Sequence, residues 1–307
     1  MQQNKNLMDH TETFDSLLHD RRSQQKMPAV ALACPHDSHT EYVIGRALHE
    51  GLCRFILTAC NPLSKSLQRT ADAHPGSLET LMCHDAQEAA QTAVELVRNH
   101  NAQVLMKGMV NTDVLLRAVL DKQQGLLSPG SVMAHLTVMQ VPGRERLLMF
   151  ADAAVLPEPT LPQLDALVRY MTDHLRRFGR EVPRIALTNC NEKVNPKFPH
   201  TLHYEQIKQW AAEGRYGKVV IDGPMDVKTA LDADAAAYKH ITSPIEGKAD
   251  ALVFPNIQAG NTFYKTLSCF CHAIPAGWLA GTEAPVVVTS RADSEESKYY
   301  SLALACL

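Results

Sequence analysis

The sequence predicts an α/β protein with a mainly parallel sheet. Short apolar, β-branched runs alternate with amphipathic helical stretches almost from end to end, the pattern produced when each strand is followed by a covering helix. Polar loops punctuated by glycine and proline follow several of the apolar runs, which is where such folds keep their binding residues. At 307 residues and 45% hydrophobic content, the chain holds one large or two medium cores.

Taken in order, residues 1–27 are polar apart from a weakly amphipathic stretch at 13–20, which gives a docked or frayed terminal helix. Strands are expected at 29–34, 54–58, 104–106, 136–140, 147–150, 184–188, 219–221, 251–254 and 286–289. Helices fill the intervals. The clearest spans 85–99, where Ala86, Ala89, Ala90, Ala93 and Val97 recur at helical spacing and form a core face. The segments 140–146 and 276–285 carry turn residues between apolar runs, and both are candidate domain crossings.

Composition narrows the function. The formal net charge is −3, aromatics make up 6% and no long basic run occurs, so nucleic acid is not an expected partner. Residues 1–6 hold no apolar signal core, and no window approaches the roughly 18 apolar residues that span a bilayer. A soluble, cytoplasmic protein without membrane contact is expected. The 8 cysteines form no CxxC pair, and several lie in apolar runs where reduced cysteine packs as a small hydrophobe. Cys269 and Cys271 diverge on a helix, and the 14 histidines include no HExxH, so no metal site is expected.

The most informative stretch runs from Pro285 to Lys298. Its apolar run ends at Ser290-Arg291 and a helix opens beyond, so a hydroxyl and a guanidinium at a strand end face a helix N-terminus. That arrangement suits a phosphate or an acyl phosphate. Asp293 with Glu296 three residues on reads as a capping box for the following helix, and either acid is also a candidate general base.

A second stretch takes the strand at 104–106 into Lys107-Gly108 and then a helix capped by Asn111 or Thr112. Gly108 lets backbone approach a ligand closely, and the orphan N–H groups beside Asn111 and Thr112 favour an anion. Arg117, about a turn and a half beyond, either swings back to the same spot or pairs on the surface. The plainer alternative is an ordinary capped helix with a solvated arginine.

Three later breaks repeat the theme of strand, polar loop and helix. The loop 190–201 offers Lys193, Asn195 and Lys197 to a phosphate or nucleotide tail, or is simply a solvated connector. The strand at 219–221 ends in Asp222-Gly223. The strand at 251–254 breaks at Pro255 into a polar segment with Asn256, Gly260 and Asn261, ahead of Tyr264 and Lys265. Repeated breaks of this kind are expected when one large ligand lies across several strand ends.

These constellations, in this order, resemble the phosphate acetyl/butyryl transferases from about Ala29 to the C-terminus. Ile221-Asp-Gly-Pro224, Ser243-Pro244 with Gly247-Lys248-Ala249, Phe254-Pro255 with Gly260-Asn261 and Tyr264-Lys265, and Ser290-Arg291 resemble hallmarks of the whole family. Leu105-Met-Lys-Gly108 with Leu116-Arg-Ala-Val-Leu120, and Glu192-Lys-Val-Asn-Pro-Lys197, resemble the butyryl branch in particular.

The resemblance implies reversible exchange of a short acyl group, butyryl favoured, between coenzyme A and orthophosphate. The expected partners are acyl-CoA, orthophosphate and acyl phosphate, with coenzyme A a substrate and no metal or redox cofactor. The implied fold is like that of isocitrate and isopropylmalate dehydrogenases: two α/β domains, 1–141 plus 277–307 and 142–276, with an inter-domain cleft, in a homo-oligomer. Ser290, Arg291 and Arg117 match active-site positions. Arginines there hold phosphoryl oxygens bidentately, and the serine donates to the carbonyl oxygen as it turns anionic. The coenzyme A thiolate attacks directly in a ternary complex.

The chain departs from its relatives at Ser297, where the acetyl branch carries its proposed base aspartate, leaving Asp293 and Glu296 as the nearest substitutes. It also departs at Asn256 and Gln258, where relatives often carry acids, and at Ala134, where the butyryl branch often has serine. An acetyl-CoA-specific enzyme and a non-catalytic acyl-CoA-binding protein are the alternative readings. A metal-dependent dehydrogenase needs an aspartate cluster and a GxGxxG, and the sequence has neither.

Overall fold

In the computed structural model, which describes residues 12–22, 27–289 and 293–307, the first helix among the described residues is α1 (Phe14–Arg22), with Phe14 and Leu17 buried. Of the two sequence expectations for this segment, docking is the one realised. The Phe14 N–H donates to Gln140 Oε1 at 2.8 Å.

The chain forms two compact units. The first comprises Leu18–Met133 with Ala276–Leu307. Its strands are β1 (Ala29–Ala33), β2 (Arg54–Ala59), β3 (Leu78–Met82), β4 (Val104–Lys107), β10 (Ile274–Ala280) and β11 (Val286–Val287), ordered β3-β2-β1-β4-β11-β10. All neighbours run parallel except β10 and β11. Both β1 and β4 are buried along their whole length, which explains why they read as unbroken apolar runs rather than alternating ones. The connecting helices are α2 (Ser38–His49), α3 (Lys65–Ala73), α4 (Ala86–Arg98) and α5 (Thr112–Val119). In α4 the buried face is Ala89, Ala90, Ala93, Val94 and Val97, and Asp85 caps it by accepting from the Gln87 and Glu88 N–H groups. The Glu88 N–H, more than the Gln87 N–H, holds that capping carboxyl below the usual carboxylate range.

The second unit comprises Ala134–Pro275 with the described part of Met1–Leu17. Its strands β5 (Ala134–Gln140), β6 (Leu148–Ala151), β7 (Arg184–Thr188), β8 (Val220–Met225) and β9 (Ala251–Val253) are ordered β5-β6-β9-β7-β8. Only the β5–β6 pair is antiparallel. Its helices are α6 (Leu161–Arg177), α7 (His200–Ala212), α8 (Val227–Leu231), α9 (Ala233–Tyr238) and α10 (Ile257–Phe270). Phe150 centres the core, with Phe254 and Phe263 edge-on at 5.9 and 5.3 Å between ring centroids.

The units divide at 133/134 and 275/276, where the sequence suggested 141/142 and 276/277. Pairing explains the first difference. β5 is zipped to β6 through Thr137↔Phe150, Val138↔Met149 and Met139↔Leu148, so it belongs with the unit that follows it. Two strands were not foreseen. β3 is a half-exposed edge strand, and β10 contains Pro275 and Gly277 in a stretch that reads as a turn.

The last helix, α11 (Glu295–Ala305), corrects a sequence expectation. Ser294, not Asp293, is its N-cap, with the Ser294 Oγ accepting from the Ser297 N–H at 3.1 Å. The extended backbone of Ser294 starts the helix one residue later than a box between Asp293 and Glu296 requires.

Candidate active site

In the first unit the chain winds outward from β1 through β2 to β3, then returns to place β4 on the other side of β1. Such a reversal opens a crevice at the carboxyl ends of the two central strands, where ligands of open α/β sheets bind. Here those ends carry Cys34 and Lys107-Gly108. The Gly108 N–H donates to Ala33 O at 2.9 Å and the Met109 N–H to Cys34 O at 2.7 Å, drawing the β4 loop tightly over the end of β1. Gly108 is required for this approach, since an ideal Cβ would meet the Cys34 carbonyl oxygen at 2.2 Å.

Lys107 is 5% exposed, and its Nζ donates to Gly108 O at 3.1 Å. Against the larger effect of burial, which raises it, Lys107 lowers the pKa of the neighbouring Cys34 thiol. Asn111 is the N-cap of α5 by its extended backbone, its side chain makes no capping bond, and Thr112 is the first helical residue. The helix N-terminus therefore adds orphan N–H groups to the same strand end.

Arg117 takes the second of its two expected positions. It is exposed, with Nη2 4.0 Å from Asp113 Oδ2, and it lines a groove of about 590 Å³ between α4 and α5 together with Gln91, Glu95 and Asp121. The helical period explains this. Five residues carry Arg117 roughly 140° around the helix from Thr112. Ser290 and Arg291 lie outside the described residues. Beyond them, Asp293 is half-buried and Glu296 exposed, while Ser297 is 4% exposed.

Three thiols sit at adjacent strand ends: Cys34, Cys60 and Cys83 are the residues directly after β1, β2 and β3. Burial, and next the neighbouring Cys60, push the Cys34 thiol up to about 12. The two sulfurs are 3.8 Å apart. At neutral pH Cys34 is a thiol and a poor nucleophile.

In the second unit the candidates again lie beyond strand ends. Asn195 is consumed in shaping the loop after β7: its Oδ1 accepts from the Lys197 N–H at 2.9 Å, and its N–H donates to Thr201 Oγ1 at 3.0 Å. Lys193 and Lys197 are exposed on that loop. Asp222, on β8, accepts from Ser243 Oγ at 2.7 Å and lies 3.5 Å from Lys208 Nζ. Asn256 caps α10 by accepting from the Ala259 N–H at 2.9 Å. Gly260 is buried and Asn261 is exposed, with Asn261 Nδ2 donating to Ala153 O at 3.0 Å.

The structure thus groups Lys107, Gly108, Asn111 and Thr112 at one strand end of the first unit. It groups Asn256, Gly260 and Asn261 at the start of α10 in the second, with Asp222 within β8 and the loop lysines beyond β7. Sequence reasoning missed Asp152, which directly follows β6. The available signal was an acid placed just after an apolar run, Leu147 to Ala151.

A family model described as Phosphate acetyl/butaryl transferase matches residues 73–306. A probable phosphate butyryltransferase of Bacillus subtilis is 35% identical over 285 residues, covering 93% of this chain and 94% of that one. A phosphate acetyltransferase of Thermotoga maritima is 33% identical over 294 residues, covering 96% and 99%. The crystal structure of a branched-chain phosphotransacylase from Enterococcus faecalis, 31% identical, superposes with a TM-score of 0.80 over 91% of this chain and 98% of that one.

Proposed function

Since the chain belongs to the phosphate acetyl/butyryl transferases and is a phosphate acyltransferase, we propose that it acts on short-chain acyl-CoA, butyryl-CoA first. The carbon–sulfur bond of the thioester breaks as a carbon–oxygen bond to orthophosphate forms, giving acyl phosphate and coenzyme A. In reverse, the coenzyme A thiolate attacks the acyl phosphate and orthophosphate leaves. Similarity to the Bacillus protein carries the butyryl preference. The Thermotoga protein, nearly as similar, supports acetyl-CoA as the second reading.

In this reading Arg291 grips the phosphoryl oxygens and Ser290 donates to the carbonyl oxygen as charge develops on it, while Arg117 stays beside Asp113 in its surface groove. Lys107, the Gly108 backbone and the N–H groups at Asn111 and Thr112 add positive potential for the phosphate. Lys193 and Lys197 meet the phosphates of the coenzyme A tail, with Asn195 shaping their loop. Asp222, Asn256, Gly260 and Asn261 line the remaining path. Coenzyme A supplies the nucleophile, and Asp293 and Glu296 are the candidate proton acceptors. The protonated, buried Cys34 supports a route without an acyl-enzyme.

The test is a kcat/KM series over acetyl-, propionyl-, butyryl- and isobutyryl-CoA with phosphate, following free thiol. One methylene in a pocket is worth about 1–3 kcal/mol, so a butyryl preference of tenfold or more over acetyl supports the first reading. Equal or better turnover of acetyl-CoA supports the second. Arg291→Ala should lose most activity at unchanged thermal stability, and full activity in that variant refutes its role.

We also propose a cytoplasmic homo-oligomer without nucleic-acid or membrane partners. No described helix is long and apolar enough to cross a membrane, and all eight cysteines are free thiols. A light-scattering mass of 33.9 kDa, that of one chain, refutes assembly.

A further inference from the structure

Asp152 is 1% exposed, yet its carboxylate is fully engaged by backbone. Its Oδ2 accepts from the His135 N–H at 2.8 Å, and its Oδ1 accepts from the Ala154 and Val155 N–H groups, both at 2.7 Å. Three backbone donors at 2.7–2.8 Å hold the carboxyl group in one orientation. They curl residues 152–155 beneath the carboxylate and tie that loop to the first residues of β5.

The other side of the same loop bears on α10. A Cβ at Gly260 would meet Asp152 O at 2.2 Å, so the helix backbone rests directly on the loop. Asn261 Nδ2 donates to Ala153 O at 3.0 Å. The Phe254 N–H donates to Ala151 O at 2.7 Å, and the Ile257 N–H to Pro157 O at 2.9 Å. The segment from Ala151 to Pro157 is therefore the bed on which the first turn of α10 lies.

We infer that Asp152 is a positioning residue for acyl transfer: its carboxylate fixes loop 152–155, and that loop sets the height and rotation of the turn carrying Asn256 and Asn261. The inference rests on the proposed assignment of Asn256 and Asn261 to ligand binding. A displacement of about 1 Å in a binding group is enough to cost on the order of 100-fold in rate. Asp152→Asn keeps the shape but turns an amide N–H toward one of the donating N–H groups, loosening the loop without emptying the site.

The experiment measures thermal stability and kcat/KM for butyryl-CoA and phosphate in Asp152→Asn, Asn261→Ala and the double variant. Asn261→Ala should lower kcat/KM about tenfold or more. Asp152→Asn should match it in the folded protein, with thermal stability lowered only by the one broken hydrogen bond, and the double variant should be no worse than the worse single one, because both act through one turn. A purely structural Asp152 would lower stability and leave normal kcat/KM in the folded fraction, which overturns the inference, as do additive losses. Wild-type kinetics in Asn261→Ala would instead overturn the binding assignment beneath it. Where Asp152→Asn does not fold, Gly260→Ala pushes on the same contact from the helix side; normal kinetics there also overturn positioning.

Discussion

Gly108 and Cys34 are packed so closely that a single added carbon on the glycine would fall 2.2 Å from the cysteine carbonyl oxygen. The contact joins the exits of the two central strands of the first unit, and the Ala33 carbonyl oxygen lies only 2.7 Å from the same point, so the added carbon would strike rigid backbone. Gly108→Ala should therefore destabilise the protein by about 1–3 kcal/mol, as other overpacked sites do. Urea unfolding measures the loss. A KM for phosphate that rises with it would tie the same contact to ligand binding, whereas unchanged stability would show that the loop yields.

The thiols should separate sharply in reactivity. Cys190 is exposed, whereas Cys34 is buried with its thiol pushed up to about 12. Iodoacetamide at pH 8, followed by peptide mass spectrometry, should label Cys190 within minutes and leave Cys34 unmodified until the protein unfolds. Early labelling of Cys34 would contradict its burial.

His174 gives the second unit a pH dependence. Burial pushes its imidazole from 6.5 down to about 4, although its Nδ1 lies 2.8 Å from the Tyr170 carbonyl. Between those two values the unfolded chain binds a proton that the folded chain refuses. Stability is thus complete above pH 6.5 and falls as the pH drops toward 4. At about 1.4 kcal/mol per unit, the loss approaches roughly 3 kcal/mol at pH 4. His174→Gln should flatten the difference in urea midpoint between pH 7 and pH 4.5, and an unchanged slope would remove His174 as its source.

Ser294→Ala should cost about 1 kcal/mol through loss of the α11 cap, while Asp293→Ala should not reproduce that loss. Equilibrium unfolding of the two variants side by side distinguishes them. A larger loss in Asp293→Ala would restore the box that the sequence suggests.

What the sequence made legible follows from where each signal resides. β1 and β4 could be read because both faces are buried, and their apolar runs say so. β3 is an exposed edge with no such run, and β10 hides behind Pro275 and Gly277. Lys107-Gly108 was legible because a glycine at a strand exit marks close backbone approach. Asp152 was not, because an acid after the Leu147–Ala151 run reads equally as a solvated strand end, and its partners are backbone N–H groups of His135, Ala154 and Val155 that residue pattern does not reveal. The α11 cap was misplaced by one residue because Asp293 and Ser294 are both good caps, and only backbone conformation chooses between them.

The first unit is interrupted in sequence by the second. Residues 276–307 supply β11, the partner of β4, and the helix α11 whose Tyr299 hydroxyl donates to Glu50 at 2.6 Å. On the ribosome these residues emerge after the whole of 134–275. The intervening unit has all its strands in hand while the unit around Lys107 still lacks one side of its sheet. Vectorial synthesis thus leaves the sheet around Lys107 to be completed after the second unit, and a nascent chain halted before residue 276 carries the Asn261 turn without the strand that completes the Lys107 side.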